Sequence, residues 1–227
     1  MRVDLRDVNI VGARLRLRDL NADDLAVYQR IFTDPRLTRY MGTDAMDIPT
    51  ATAAFDRALV SRLDHQRRKY PLAITAPDDN TMVGTISLLV EEFGSNAMIG
   101  GLVVLPGGAL RAGGIEAGRM MAAFAFGPLR IHRVWAGHRH DHPVMDTVMA
   151  GVGLVREARL RQLYQTQGQW RDVCTYAAVR PEWTATASAA EQRILALRPT
   201  ETAQPAVRVG KLVANPDESG SRSVAAR

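Results

Sequence analysis

The stretch YPLAITAPDDNTMVGTISLLVEEFGSNAMIGGLVVLP, residues 70–106, decides the fold. Three runs rich in Ile, Leu and Val are divided by PDDN (77–80) and FGSN (93–96). Turn formers between β-prone runs mark tight reversals, and tight reversals impose antiparallel pairing. The expected strands are YPLAIT, MVGTISLLVEE and AMIGGLVVLP. The third runs into GGALRAGG (107–114), a glycine-rich loop whose single charge is Arg111, and then into the helical run IEAGRMMAAFAFGPL (115–129). A loop so poor in side chains lets a partner approach the backbone closely.

The pattern continues on both sides. In ARLRLRDL (13–20), Leu15 and Leu17 alternate with charged residues, which predicts a strand. Asn21 is placed to cap a helix through Leu25, Tyr28 and Ile31, stopped by TDP (33–35). A second helix is expected from about Thr50 to His65. Beyond the glycine-rich loop, HRVWAGH (132–138) reads as a strand and PVMDTVMAGVG (143–153) as a helix, with proline at its start and glycine at its end. LVREARLRQ and DVCTYAAVR complete the set as strands. The predicted order is β-α-α-β-β-β-α-β-α-β-β.

Composition narrows the function classes. A 46% hydrophobic share supports a real core, and with only 6% aromatic residues that core must be built from aliphatic side chains and Met. Cys174 is the lone cysteine, which excludes an internal disulfide framework and any Cys-rich zinc site. A reducing, cytoplasmic setting is expected. No basic-then-apolar targeting segment is read at the start. The longest weakly polar run, MMAAFAFGPL (120–129), falls short of the ~20 residues that span a bilayer, so no membrane association is expected. The net charge of +5 suits an anionic partner. Its basic residues are scattered, however, and the one tight cluster, HQRRKY (65–70), reads as a solvated helix end. Nucleic acid is not expected as a partner.

The chain divides at about residue 185. Residues 1–185 form one domain. Residues 186–227 read as a short helix around EQRILALR (191–198) followed by a disordered tail, because the last stretch holds too little apolar surface to offset its ordering entropy.

Eight fragments in order carry a family resemblance: LRLRDLNADDL, TDPRLTRYMG, VGTISL, IGGLVVLP, the Glu116-Ala117 pair, FGPLRIHRV, GLVREARLR, and WRDVCTY followed by RPEW. Over about Arg14 to Trp183 the chain resembles the GNAT N-acyltransferases, in particular the branch that acetylates N-terminal amines of ribosomal proteins and similar amines. The resemblance implies an α/β (α+β) GNAT fold. That fold has a mixed, mostly antiparallel sheet of about seven strands, splayed between the fourth and fifth, with about four flanking helices. It implies acetyl-CoA, or another acyl-CoA, as co-substrate, a small-molecule or peptidyl amine as acceptor, no metal, and a monomer or homodimer.

By that resemblance the pyrophosphate of CoA sits on the strand-loop-helix junction, where helix N–H groups and the helix dipole neutralise a phosphate. The family pattern is Gln or Arg, two residues, Gly, one residue, then Gly or Ala. Counted between Pro106 and Glu116 these positions are Ala109, Ala112 and Gly114, and only Gly114 matches. The basic residue lies instead at Arg111, and Gly113 adds a glycine. The implied cofactor-binding residues are Leu102, Val103, Val104, Leu105, Arg111, Ala112, Gly113, Gly114, Ile115 and His142. Neither a Gly-Lys-Ser/Thr phosphate loop nor a G-x-G-x-x-G motif is present.

Acyl transfer needs a route for the amine's proton, donors for the developing oxyanion and a proton for the departing thiolate. In the family prototype the helix after the fifth strand begins Asn-x-x-Ser, with a Tyr further along in some branches. Here HPVMDTVM (142–149) puts His142, Met145 and Met149 at those positions, and the two methionines are expected in the core or lining a pocket. Met98 stands where relatives often carry an acid. Glu91, Glu92 and the histidines of HRHDH (138–142) remain as candidate bases. His142 and Glu91 are the catalytic candidates, with His142 expected to act as acid or base near neutral pH. His138, His140 and His142 alternate as three zinc ligands would on a strand. The strand is expected to end near residue 139, and the resemblance implies no metal there. A second functional class stays open at this point: a GNAT-fold protein with eroded catalysis, used for binding or for a carrier-protein thioester.

Overall fold

The computed structural model describes residues 2–76, 78–106 and 110–200, without the side chains of 110–112. The strands are β1 (Arg2–Val3), β2 (Asn9–Val11), β3 (Arg16–Asp19), β4 (Lys69–Thr75), β5 (Met82–Val90), β6 (Asn96–Val104), β7 (Arg133–Arg139), β8 (Val155–Thr166), β9 (Gln169–Val179) and β10 (Arg198–Pro199). The helices are α1 (Leu25–Thr33), α2 (Pro35–Thr38), α3 (Ile48–Val60), α4 (Leu110–Phe126), α5 (Met145–Val152), α6 (Arg180–Thr184) and α7 (Ala189–Leu195).

Eight strands form one sheet in the order β2-β3-β4-β5-β6-β7-β9-β8. All neighbours are antiparallel except β6 and β7, which run parallel because α4 carries the chain across between them. The period of two along each strand sorts side chains between two cores. Leu72 and Ile74 of β4 join Met121, Phe124 and other residues of α4 in one cluster. Ala73, between them, joins Tyr28 and Ile31 of α1 and Phe55 of α3 in the other. Each large apolar side chain so buried contributes ~1.5–3 kcal/mol. The sheet is therefore a wall with α4 on one face and α1 and α3 on the other.

Helix starts follow their caps. Asn21 accepts from Asp23 N at 3.0 Å and leads through a tight turn into α1. Asp47 accepts from Thr50 N at 2.8 Å, so the second expected helix opens at Ile48. It ends at Val60, and the basic run 65–70 enters β4 instead of closing a helix. Arg67 is consequently buried, not solvated. Its guanidinium holds both oxygens of buried Asp19 and donates to Leu5 O at 2.9 Å. The hydrogen-bond demand of a buried aspartate at the end of β3 overrides the expectation of a surface cluster.

The expected helix around 191–198 forms as α7, and it packs on α4. Ile194 and Leu197 are buried with the α4 core, and Arg119 of α4 grips Glu191 at 2.5 and 2.8 Å. β10 then pairs in parallel with β1, and Thr200 N donates to Val3 O at 3.0 Å. The packed unit thus runs past residue 185 to Thr200. The tail expected to be disordered lies, from residue 201 on, outside the described residues.

Candidate active site

β6 and β7 pair from Asn96↔Arg133 to Ile99↔Ala136 and no further. β6 nevertheless continues to Val104 and β7 to Arg139. Past Ile99 the two strands diverge, and among the described residues the β7-facing edge of β6 has no ladder partner. On its other side β6 stays bonded to β5 but slips register. Ser87 faces Gly100 and Thr85 faces Val103, so Gly101 and Leu102 both stand opposite Ile86. This bulge puts Gly101 at φ 58°, a left-handed backbone that glycine adopts without strain. Ser87 Oγ donates to Gly100 O at 3.0 Å and holds the kink.

The gap is a cleft of about 440 Å³ that passes through the sheet. On the α4 side its walls are Gly118 of α4 and Met145, Val148 and Met149 of α5. α5 reaches this position because α4 offers it Gly118, where a Cβ would lie 2.4 Å from Val152 Cγ2. On the other side the walls are Phe32, Leu37, Tyr40 and Met41 around α2, with Leu163 and Tyr164 of β8. Arg139 Nη1 donates to Arg39 O at 2.6 Å and Gln167 N to Asp44 Oδ1 at 2.9 Å, tying the segment after α2 to β7 and to the β8–β9 turn.

α4 begins at Leu110, five residues before the expected start. Gly113 and Gly114 therefore lie in its opening turns and not in a loop. A Cβ on Gly113 would meet Val104 Cγ1 at 3.9 Å, and one on Gly114 would meet Leu102 Cδ2 at 3.7 Å, both ordinary contacts. Among the described residues, internal packing does not demand glycine at either place. The side chains of Arg111 and Ala112 lie outside the described residues, and Gly107, Gly108 and Ala109 lie outside them altogether. Glu116 anchors the helix start: its carboxylate accepts from Arg14 N at 2.7 Å, Arg14 Nε at 2.9 Å and Leu15 N at 3.2 Å.

Two histidines face the cleft. His142 is half-buried, packs at a tilt against Tyr40 with ring centroids 4.5 Å apart, and its Nδ1 receives Val144 N–H at 3.4 Å. Its remaining hydrogen therefore sits on Nε2. Burial, reinforced by the neighbouring His138, pushes its pKa down to about 4, so it is neutral at pH 7 and does not titrate near neutrality as expected. His138 is buried. Its Nδ1 donates to Arg139 O at 2.8 Å, and its Nε2 faces Asp146 Oδ1 at 3.0 Å, off the line of a hydrogen bond. Tyr176 donates to that same oxygen at 2.5 Å, which holds the Asp146 carboxyl below the usual range.

A family model described as an acetyltransferase (GNAT) domain matches residues 14–155. The chain belongs to the GNAT acetyltransferase family. Solved structures agree in fold. A GNAT-family acetyltransferase from Bacillus anthracis is 19% identical and superposes with a TM-score of 0.66, covering 77% of this chain and 100% of its own. A spermidine N-acetyltransferase from Vibrio cholerae, solved with CoA and spermine, is 14% identical with a TM-score of 0.66, covering 76% and 99%. RimJ from Mycobacterium smegmatis, solved with CoA-disulfide, is 24% identical with a TM-score of 0.65, covering 83% and 91%. A sequence search of curated proteins finds no match. Among the described residues no helix is long and apolar enough to cross a membrane.

As a GNAT-type N-acetyltransferase, the chain places its splay between β6 and β7. The eight-stranded sheet has one strand more than expected. Of the residues expected to touch CoA, Leu102, Val103 and His142 line the cleft. Gly113 and Gly114 lie beside it in α4, and Ile115 packs against α5 at Gly151. The side chains of Val104 and Leu105 turn into the two cores. Met145, Met149 and Met98 are wall residues of the cleft. Glu91 does not line it: Glu91 sits opposite Asn96, where β6 and β7 are still paired, and accepts Trp135 Nε1 at 2.6 Å. The indole of Trp135 thus stands between Glu91 and the cleft. The strand carrying His138 ends near residue 139, as expected, so His138, His140 and His142 do not share one extended face. β7 ends at Arg139, and His140 turns to Cys174 Sγ at 3.6 Å. The wall around α2 and β8 went unread in the sequence. Its members are more than 120 residues apart along the chain, and no local pattern announces such a juxtaposition.

Proposed function

We propose that the protein transfers an acetyl group from acetyl-CoA to a primary amine seated in the cleft between β6 and β7. The observation that carries this reading is the end of the β6–β7 ladder at Ile99↔Ala136, which leaves a row of β6 backbone groups facing an open channel. Unpaired N–H and C=O groups bind an extended amide-bearing chain as a further strand would, and the arm of CoA is such a chain. The opening turns of α4 supply free N–H groups and a positive dipole end for its phosphates. Glycine within a helix costs ~0.5–1 kcal/mol relative to alanine. Gly113 and Gly114 carry that cost with no internal packing need, as expected where a ligand approaches the backbone.

The chain's own groups then have distinct roles. Backbone N–H groups of the bulged segment 100–104 donate to the acyl oxygen as charge develops on it. Met145, Val148 and Met149 exclude water from the thioester. His142, neutral and with its hydrogen on Nε2, orients the reacting groups by donation. Glu91 has no part in proton transfer in this reading, because it lies outside the cleft lining, behind the Trp135 indole. Holding amine and thioester together supplies most of the rate gain.

The test is direct. Full-length protein is incubated with acetyl-CoA and a panel of small amines and short peptides, and free thiol and acetylated product are followed. Thermal stabilisation by acetyl-CoA together with amine-dependent thiol release supports the reading. No stabilisation and no thiol release would leave the cleft as a binding site for something else.

A further inference from the structure

The side of the cleft around α2 and β8 is apolar, and the charged groups near it lie outside its lining. Among the described residues no carboxylate lines the cleft. Tyr40, at its centre, has the guanidinium carbons of Arg39 and Arg139 at 5.3 and 5.2 Å from its ring centroid. Tyr164 lies within the fields of Arg139 and Arg171, opposed by Asp141 alone. Asp141 is already spent on Arg139, at 2.9 and 2.6 Å. Asp44 accepts Gln167 N, and Asp146 accepts Tyr176. Phe32, Leu37, Met41 and Leu163 complete the wall.

We propose that the acceptor is a primary amine carried on an apolar body of about the size of an aromatic ring, with no second cationic group. The inference rests on the acetyl-transfer reading above. Burial disfavours an ammonium and favours the neutral amine. For a single amine this helps the chemistry. It gives its ammonium proton to water on entry, forms the C–N bond as the thioester C–S bond breaks, and the proton then lost from the acylated nitrogen balances the one the departing sulfur takes up as free thiol. A polyamine gains nothing comparable. Its remaining ammonium groups would stay charged in an apolar channel whose lining, among the described residues, holds no carboxylate, and desolvating an unpaired charge is strongly unfavourable. An aromatic or aliphatic body, by contrast, packs on Phe32, Leu37 and the rings of Tyr40 and Tyr164.

The apolar body can belong to a small amine or to the first residue of a peptide, and the experiment separates these. Full-length protein with acetyl-CoA is assayed against 2-phenylethylamine, a tripeptide with N-terminal Phe, and spermidine. The expected result is a kcat/KM at least tenfold higher for one or both of the first two than for spermidine. Leu163→Asp, at an exposed rim position of β8, should narrow that ratio by supplying the missing carboxylate. Equal or better use of spermidine by the wild type overturns the proposal. So does absence of transfer to both apolar acceptors while acetyl-CoA still raises the melting temperature. If acetyl-CoA causes no thermal shift, the acetyl-transfer reading itself fails.

Discussion

Ile99 and Ala136 are the last residues that β6 and β7 share. Two positions beyond Ile99, Gly101 turns the strand with a positive φ of 58°. The ladder's end and the bulge are one device: the kink steers the rest of β6 away from β7 while β5 keeps it in the sheet.

Gly101→Val should therefore damage both stability and turnover. A left-handed backbone costs a β-branched residue at least ~1–2 kcal/mol, and the new Cβ would sit 3.2 Å from Ser87 Oγ. A loss of that size lowers the melting temperature of a chain this long by several degrees, roughly 2–4 °C per kcal/mol. Relief by flattening the bulge would move the β6 amides, so acetyl transfer should fall further than the lost stability explains. Parallel thermal melts and initial rates check this. A variant with wild-type rates would separate the bulge from catalysis.

The strands of residues 70–106 were legible because hydrophobic runs and turn residues are local properties. β1 and β10 were not, since each is two residues long and exists only by pairing with the other across almost the whole chain. Glycines at 113 and 114 read as a loop, yet the helix begins at Leu110 because Glu116 and the α4 core hold it there. At the site, the methionines of α5 were read correctly as wall residues. Glu91 looked available from its place at a strand end, and only the cross-strand position of Trp135 shows it to be occupied. The burial of His142, which decides its charge, depends on Tyr40 and His138, and neither contact is visible in local sequence.

The α7 segment offers a second test. Truncation after Ala185 removes Ile194 and Leu197 from the α4 core and leaves Arg119 without Glu191. Losing two buried aliphatic side chains alone withdraws ~3–6 kcal/mol of burial, so this variant should melt far lower or fail to accumulate. Truncation after Thr200 keeps every one of those contacts and should melt like the full chain. Equal stability of the two truncations would show that α7 contributes nothing to the fold.

At the start of α4, Gly114→Asp should uncouple folding from ligand binding. A carboxylate near a helix N-terminus is favourable for the helix itself, and among the described residues a Cβ at this position meets only Leu102 and Val148 at 3.7 and 3.8 Å. The apo melting temperature should stay near the wild-type value. Acetyl-CoA at 100 times its dissociation constant should stabilise the wild type by about 2.7 kcal/mol, and the introduced charge should abolish that gain by repelling phosphate. An undiminished shift in the variant would place the phosphates elsewhere.

His142 makes a prediction about acid. Its folded pKa lies at about 4, below the ordinary 6.5, because burial and His138 oppose its charge. Above pH 6.5 the imidazole is neutral in both folded and unfolded chains and contributes no pH dependence. As the pH falls from 6.5 towards 4 the unfolded chain takes up a proton that the folded chain refuses, so stability is lost across that window. His142→Ala removes this term. Its melting temperature should decline less steeply than the wild type's between pH 6.5 and 4, and the two curves should run parallel above pH 7. The same depressed pKa means that deleting His142 lowers turnover without removing a limb from the pH–rate profile near neutrality. A wild-type limb near pH 6.5 that vanishes in the variant would show that His142 titrates as an exposed imidazole does, and would return it to the role of acid–base catalyst.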